Sequence, residues 1–116
     1  MELIDNAETQ KFYFQGNFQQ TLAGAAQGLK TFEVWRLSLA PDNDIPASRH
    51  QGEVVTLTLR GPGRVVVDGK PVNIRPDTTL VIPPGALRQI SNIGAEELVL
   101  LLIRGLVPAS TVGRGR

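Results

Sequence analysis

Hydrophobic and polar residues alternate along this chain in short runs that glycine and proline separate. The clearest run is 53–60, in which Val55, Leu57 and Leu59 alternate with a second set, namely Val54, Thr56, Thr58 and Arg60. A period of two residues indicates a β-strand with one face toward a core. Gly61-Pro62-Gly63 ends this run, and turn residues end the other runs in a similar way. The pattern predicts an all-β domain.

Seven further strands follow from the same pattern, at 11–14, 31–39, 65–67, 72–74, 78–82, 87–91 and 97–104. Asp68-Gly69 predicts a tight hairpin, because both central positions of such a turn need positive φ. The nearly continuous apolar run 97–104 predicts a central strand buried on both faces. A shift of the apolar phase at Val34-Trp35 predicts a bulge or two-sided burial there. We expect a turn at 41–46 and a loop or one helical turn at 22–30.

Composition narrows the classes of function. The 116 residues fit one domain, and 41% hydrophobic residues with only 5% aromatic ones indicate a core of Val, Leu and Ile. A net charge of +1 does not indicate a basic surface that would attract nucleic acid or an anionic membrane. The acidic start, 1–5, does not read as a signal peptide, and the longest apolar run is too short to span a bilayer. We expect a soluble cytoplasmic protein that binds neither nucleic acid nor a membrane.

His50 is the only histidine, and the chain has no cysteine. A disulfide framework and a thiol site are therefore excluded. One copy of the chain also lacks the residues for a site with several nitrogen or sulfur ligands.

Two segments have the residue spacing of the motifs of a known protein family. In the first segment, one residue separates Ser48 from His50 and three separate His50 from Val54. Six more residues separate Val54 from Gly61. In the second, Asp77 and five residues lead to Pro83-Pro84-Gly85, and Arg88 and Asn92 follow at intervals of three and four positions. Together, over about 32–104, they resemble the two motifs of the cupin superfamily.

The resemblance implies a single-domain jelly-roll barrel, a double-stranded β-helix. We expect the barrel at 31–107, an N-terminal arm at 1–30 that packs on the barrel or on a dimer partner, and a flexible C-terminal tail at 108–116. Small cupins are commonly dimers packed sheet to sheet, so the resemblance also implies a homodimer. The apolar row Val55, Leu57 and Leu59 on the outer face needs a cover. That cover would be the arm, with Phe12, Phe14 and Phe18, or a second copy.

Cupin metal sites combine three histidines and one carboxylate inside the barrel. On the matching positions this chain carries Ser48, His50, Val54 and Arg88, so only His50 carries over. Serine is a poor donor to a divalent metal, valine offers no donor, and Arg88 would place a positive charge where the cation sits. We therefore expect no metal, no cofactor and no catalytic residue.

The favoured hypothesis is that Arg88 replaces the metal as the source of positive potential and binds a small organic anion. An arginine fork binds carboxylates bidentately and stays charged when desolvated. The candidate ligand-binding residues are His50, Arg88, Ser48, Thr56 and Glu53, and the role would be that of a sensor, carrier or accessory domain. Alternatively, Arg88 pairs with an internal acid such as Glu53 or reaches solvent at the barrel mouth.

Two other functions stay open. One is a small cupin enzyme, an isomerase, lyase or dioxygenase-like protein that uses His50 with Arg88 or a reduced metal site. The other is a structural homodimer whose barrel is plugged by side chains. Trp35, the lone tryptophan, is expected in the core or at an interface.

Overall fold

Two antiparallel sheets face each other in the computed structural model, which describes residues 1–107. Their strands are β1 (Phe12–Phe14), β2 (Asn17–Ala23), β3 (Phe32–Leu39), β4 (Asp44–Ser48), β5 (Val54–Arg60), β6 (Gly63–Val67), β7 (Lys70–Ile74), β8 (Thr78–Ile82), β9 (Arg88–Asn92) and β10 (Leu98–Gly105). Single 3-10 turns lie at Asn6–Glu8 and Ala25–Gln27. None of the helices in this part of the chain is long and apolar enough to cross a membrane.

The larger sheet has the order β1-β2-β3-β10-β5-β8 and the smaller one β4-β9-β6-β7. Aliphatic side chains from both inner faces form one core, which includes Leu37, Leu39, Val54, Val65, Ile74, Ile82, Ile90, Leu98, Leu100 and Leu102. Each such side chain contributes roughly 1.5–3 kcal/mol when it leaves water. The all-β jelly roll expected from the alternation and from the cupin-like motifs is confirmed.

The turns of the β6–β9 region hold the start of β9 in place. Asp68 and Gly69 have φ of 47° and 81°, as the predicted hairpin requires. The Asp68 carboxylate accepts a hydrogen bond from Leu87 N, and Asp68 N donates to Leu87 O, both at 2.8 Å. This reciprocal pair clamps the backbone directly before Arg88.

Strand β5 has the predicted inner face, with one change at its end. Val54, Thr56 and Thr58 are buried toward the core. A bulge at Leu59 then shifts the register and places Arg60 opposite Val99 of β10. Arg60 was predicted on the inner face with Thr58, and that assignment is wrong because the bulge inserts one residue.

Strand β2 was not predicted, because its sequence Asn-Phe-Gln-Gln-Thr-Leu-Ala lacks a clear apolar alternation. Buried amides replace apolar groups in it. Gln20 Nε2 donates to Asn6 O at 2.7 Å and to Thr9 O at 3.2 Å. Both acceptors lie in a preceding segment, so no local pattern could indicate them.

Strand β4 occupies part of the segment predicted as a turn, although it contains Pro46. It forms an edge of the smaller sheet, where the missing N–H of proline is tolerated. The phase shift predicted in β3 corresponds to a bulge in its neighbour β2, between Thr21 and Ala23 opposite Trp35 and Val34.

Strand β10 is central in the larger sheet, as predicted, but its residues are not buried on both faces. Leu98, Leu100 and Leu102 are buried, whereas the alternate residues are only half-buried in the single chain. The segment 1–30 supplies β1 and β2, which extend the larger sheet beside β3. The predicted tail, 108–116, lies outside the described residues.

Candidate functional site

A cavity of about 310 Å³ lies between the sheets. Aliphatic and aromatic side chains form most of its wall, namely Phe14, Trp35, Leu37, Ile45, Pro46, Ile90 and Leu102. Its polar members are Gln19, Ser48, Arg49, Arg88 and Arg104. Three of these are cationic, and no carboxylate in the described part of the chain lines the cavity. The cavity is therefore a half-polar pocket with a positive potential.

Arg88 begins β9 in the interior of the smaller sheet, opposite Ser48 of β4 and Val67 of β6. The residue is only 9% exposed. Its guanidinium Nε and Nη1 are buried, and neither has a hydrogen-bond acceptor among residues 1–107. Burial lowers the pKa of Arg88, and repulsion from Arg104 lowers it further. Arg88 thus presents a desolvated cation without a carboxylate partner.

Arg104 lines the cavity, and the sequence analysis did not single it out. It lies near the end of β10, and its Nη1 donates to Glu33 Oε2 at 2.9 Å. Its Cζ lies 3.7 Å from the centre of the Trp35 ring, a cation–π contact. Burial lowers the pKa of Arg104, and the Glu33 carboxylate opposes this shift. One signal was available, since Arg104 has the same parity as the inward-facing Leu100 and Leu102.

His50 supports Arg104 from outside the cavity. Its Nδ1 lies 2.9 Å from Arg104 Nη2, and its Nε2 lies 2.7 Å from Gly105 O. A guanidinium has no acceptor, so Nδ1 accepts from Arg104. Nε2 then carries the proton and donates to the carbonyl. We infer the neutral tautomer from this network, with both ring nitrogens engaged.

The other predicted site residues occupy different places. Ser48 lines the cavity opposite Arg88. Thr56 is buried in the wall of the barrel but does not line the cavity, and its hydroxyl has no partner among the described residues. Glu53 is exposed and outside the cavity, and only its carbonyl is engaged, by Gly105 N at 2.7 Å. Glu53 is therefore not the internal acid suggested as a partner for Arg88.

The residues at the cupin metal positions do not fit a metal ion. Both nitrogens of His50 are already hydrogen-bonded, and Val54 offers no donor. Arg88 places its buried cation beside Ser48, and two like charges about 4 Å apart repel by roughly 4 kcal/mol per charge product at an effective dielectric near 20. Within 1–107, no group of three or more His, Cys, Asp or Glu residues is placed to hold a metal.

Comparison with known proteins agrees with this fold. Residues 35–104 match the family model described as "Cupin domain". The chain belongs to the cupin family. The match includes most of β3 and of β10, and thus covers the cavity arginines Arg49, Arg88 and Arg104.

Among curated proteins, this cupin is 33% identical over 98 residues to Auxin-binding protein 1 of Arabidopsis thaliana, across 76% of this chain and 50% of that protein. The chain thus spans about half the length of the curated relatives it matches. Its fold is shared by an RmlC-like cupin from Shewanella frigidimarina, with a TM-score of 0.79, 12% identity and 96% coverage of both chains. The polyketide cyclase RemF from Streptomyces resistomycificus also has a TM-score of 0.79, with 15% identity over 90% of this chain and 79% of that one.

Proposed function

We propose that this cupin binds a small organic anion inside its barrel, with Arg88 as the principal partner of the anion. The observation that carries the proposal is the buried Arg88 guanidinium, whose Nε and Nη1 have no acceptor in residues 1–107. Burying a charge without a partner is costly, and buried charges in proteins are normally paired. A bound carboxylate would supply both the opposite charge and the missing acceptors.

Neighbouring donors favour the same ligand chemistry. Trp35 Nε1 and Arg104 Nε are also buried and without an acceptor among the described residues. Arg104 already has Glu33 as its counter-ion, so it adds donors more than net charge. A ligand with oxygen acceptors at this end of the cavity would satisfy several donors together.

The rest of the cavity favours an apolar body on the ligand. Leu37, Ile90 and Leu102 contribute aliphatic wall, and Phe14 and Trp35 contribute aromatic rings. A volume of about 310 Å³ is at the small end of the range of ligand pockets. The ligand we propose is therefore a small acid with an apolar portion, held by the protein as a sensor, carrier or accessory domain.

Relatives support a small-molecule site in this fold. Three curated relatives are named as auxin-binding proteins, and they match between 66% and 76% of this chain. The matched part is about half of each relative's own length.

Calorimetry tests the proposal with a panel of small acids that includes acetate, benzoate and an auxin. We expect at least one acid with an apolar body to bind wild type and to lose most of its affinity in Arg88→Met. This substitution keeps much of the side-chain volume but removes the charge. Arg64→Met is the matched control, since Arg64 is exposed and bonds Asn73 instead of lining the cavity. Silence of the whole panel with wild type, or equal binding to Arg88→Met, would refute the proposal.

A further inference from the structure

The cavity holds more positive charge than one anionic group would neutralise. Of its three arginines, only Arg104 forms an ion pair among the described residues, with Glu33. Arg49 and Arg88 have no carboxylate partner within residues 1–107. Two positive charges in the cavity are therefore uncompensated.

Arg49 and Arg88 contact the cavity at different depths. Arg88 is buried in the interior of the smaller sheet. Arg49 follows the last residue of β4 and is exposed. The Arg49 Nη1 donates to Gly85 O at 2.8 Å, which connects the loop after β4 to the loop before β9. That bond orients the guanidinium at the rim but leaves its charge intact, because a carbonyl is neutral.

Apolar side chains lie beside Arg88 in the cavity wall. Ile45 and Ile90, which are directly paired across β4 and β9, both line the cavity. In this register Ile45 and Ile90 lie on the side of Arg88 away from Arg49, because Ser48 is opposite Arg88 and Arg49 directly follows Ser48. The two cations are therefore close along the sheet, which fits a short molecule with an anionic group at each end.

We infer that the ligand of this cavity is a small dicarboxylate, with one carboxylate at Arg88 and the other at Arg49. The inference rests on the proposed function and narrows its ligand class. The two contacts differ in their response to salt, because exposed charges are screened by ions and buried ones much less. The contribution of Arg49 falls as ionic strength rises, and that of Arg88 is retained.

The experiment compares each dicarboxylate from malonate to adipate with its own monomethyl ester by calorimetry. The ester keeps the length and apolar spacer but removes one charge. For at least one chain length, we expect wild type to bind the diacid about fivefold more tightly than the half-ester at low salt, the scale of one exposed ion pair. In Arg49→Gln this ratio should approach one. Arg49→Lys should keep part of it, and Arg64→Gln is the control that should keep all of it.

The outcomes separate this inference from the proposed function. If diacid and half-ester bind wild type equally, or if the ratio survives in Arg49→Gln, the dicarboxylate assignment is overturned while Arg88-dependent anion binding stands. The same holds if only monoacids of the earlier panel bind. If no acid of either series or of the panel binds wild type, the proposed function itself fails.

Discussion

His50 Nδ1 accepts a hydrogen bond from Arg104 Nη2 at 2.9 Å, and this contact explains what the lone histidine does. The residues are 54 positions apart and meet because the loop before β5 lies beside the end of β10. His50 occupies a metal-ligand position of the cupin motif. In this chain its ring instead orients an arginine that lines the cavity.

Removing the imidazole should destabilise the fold. In His50→Ala, Arg104 Nη2 and Gly105 O lose their partner. Unpaired, partly buried polar groups cost about 1–3 kcal/mol, and we expect the free energy of unfolding to fall by about that amount in urea denaturation. His50→Asn should lose less, because the amide oxygen can take the acceptor position of Nδ1. An equal loss in the two variants would show that the Arg104 contact contributes nothing.

Replacing the buried cation should have the opposite effect on stability. Because burial lowers the pKa of Arg88, the fold disfavours its charged form. We expect ligand-free Arg88→Met to be more stable than wild type by about 1–3 kcal/mol in urea denaturation, since apolar replacements of buried charges are often stabilising. A loss of stability greater than that of the exposed control Arg64→Met would contradict this expectation.

The pH dependence of that gain follows from the sign of the shift. A cation whose folded pKa lies below its unfolded value destabilises the fold at every pH at which it remains charged. The penalty begins to fall as pH rises through the lowered pKa and is gone above the unfolded value. Arginine stays protonated in proteins, so the stability difference between Arg88→Met and wild type should be constant from about pH 6 to 9. A difference that vanishes within this window would show that another group causes it.

Divalent metals should not stabilise wild type. A ligand that binds only the folded state raises the melting temperature, and the rise grows with the logarithm of the free ligand concentration once this exceeds Kd. Because both His50 nitrogens are engaged and Arg88 is cationic, we expect no concentration-dependent rise in melting temperature with Zn²⁺, Mn²⁺, Ni²⁺ or Fe²⁺. A concentration-dependent rise that disappears in His50→Ala would overturn the account of the site.

The outer face of the larger sheet leads us to expect a homodimer. Leu59 and Val81 are 47% and 64% exposed there in the single chain. The N-terminal strands β1 and β2 lie at the far side of the sheet order from β5 and β8, so they do not cover this region. Since residues 1–107 leave this sheet face without a cover, we propose that a second copy packs on it.

Light scattering after size exclusion tests the proposed dimer. Wild type should elute at twice the 12.6 kDa of one chain, and Val81→Lys should shift it to the monomer. Ile93→Lys is the control, because Ile93 is 41% exposed but lies in the loop between β9 and β10. A monomeric wild type, or a dimer unaffected by Val81→Lys, would refute this interface.

Sequence alone determined the features that depend on neighbours along the chain. Alternation identified β5, and the Asp68-Gly69 pair identified the hairpin, because period and turn chemistry are local properties. The two spaced motifs identified the family and aligned Arg88 with a cupin metal ligand. Local pattern failed for β2, where the side-chain nitrogen of the buried Gln20 donates to carbonyls of another segment.

Tertiary structure decided how the site residues are partnered. Strand order brings Arg104 of β10 beside His50 and Glu33, and it leaves Glu53 outside the cavity. The charge, burial and hydrogen bonding of a site depend on groups that are distant in sequence. They therefore cannot be predicted from any single run of residues. For that reason Arg88 could be chosen from its motif position. The lack of a cavity-lining acid among residues 1–107 and the presence of two further arginines emerged only when the sheets were assembled.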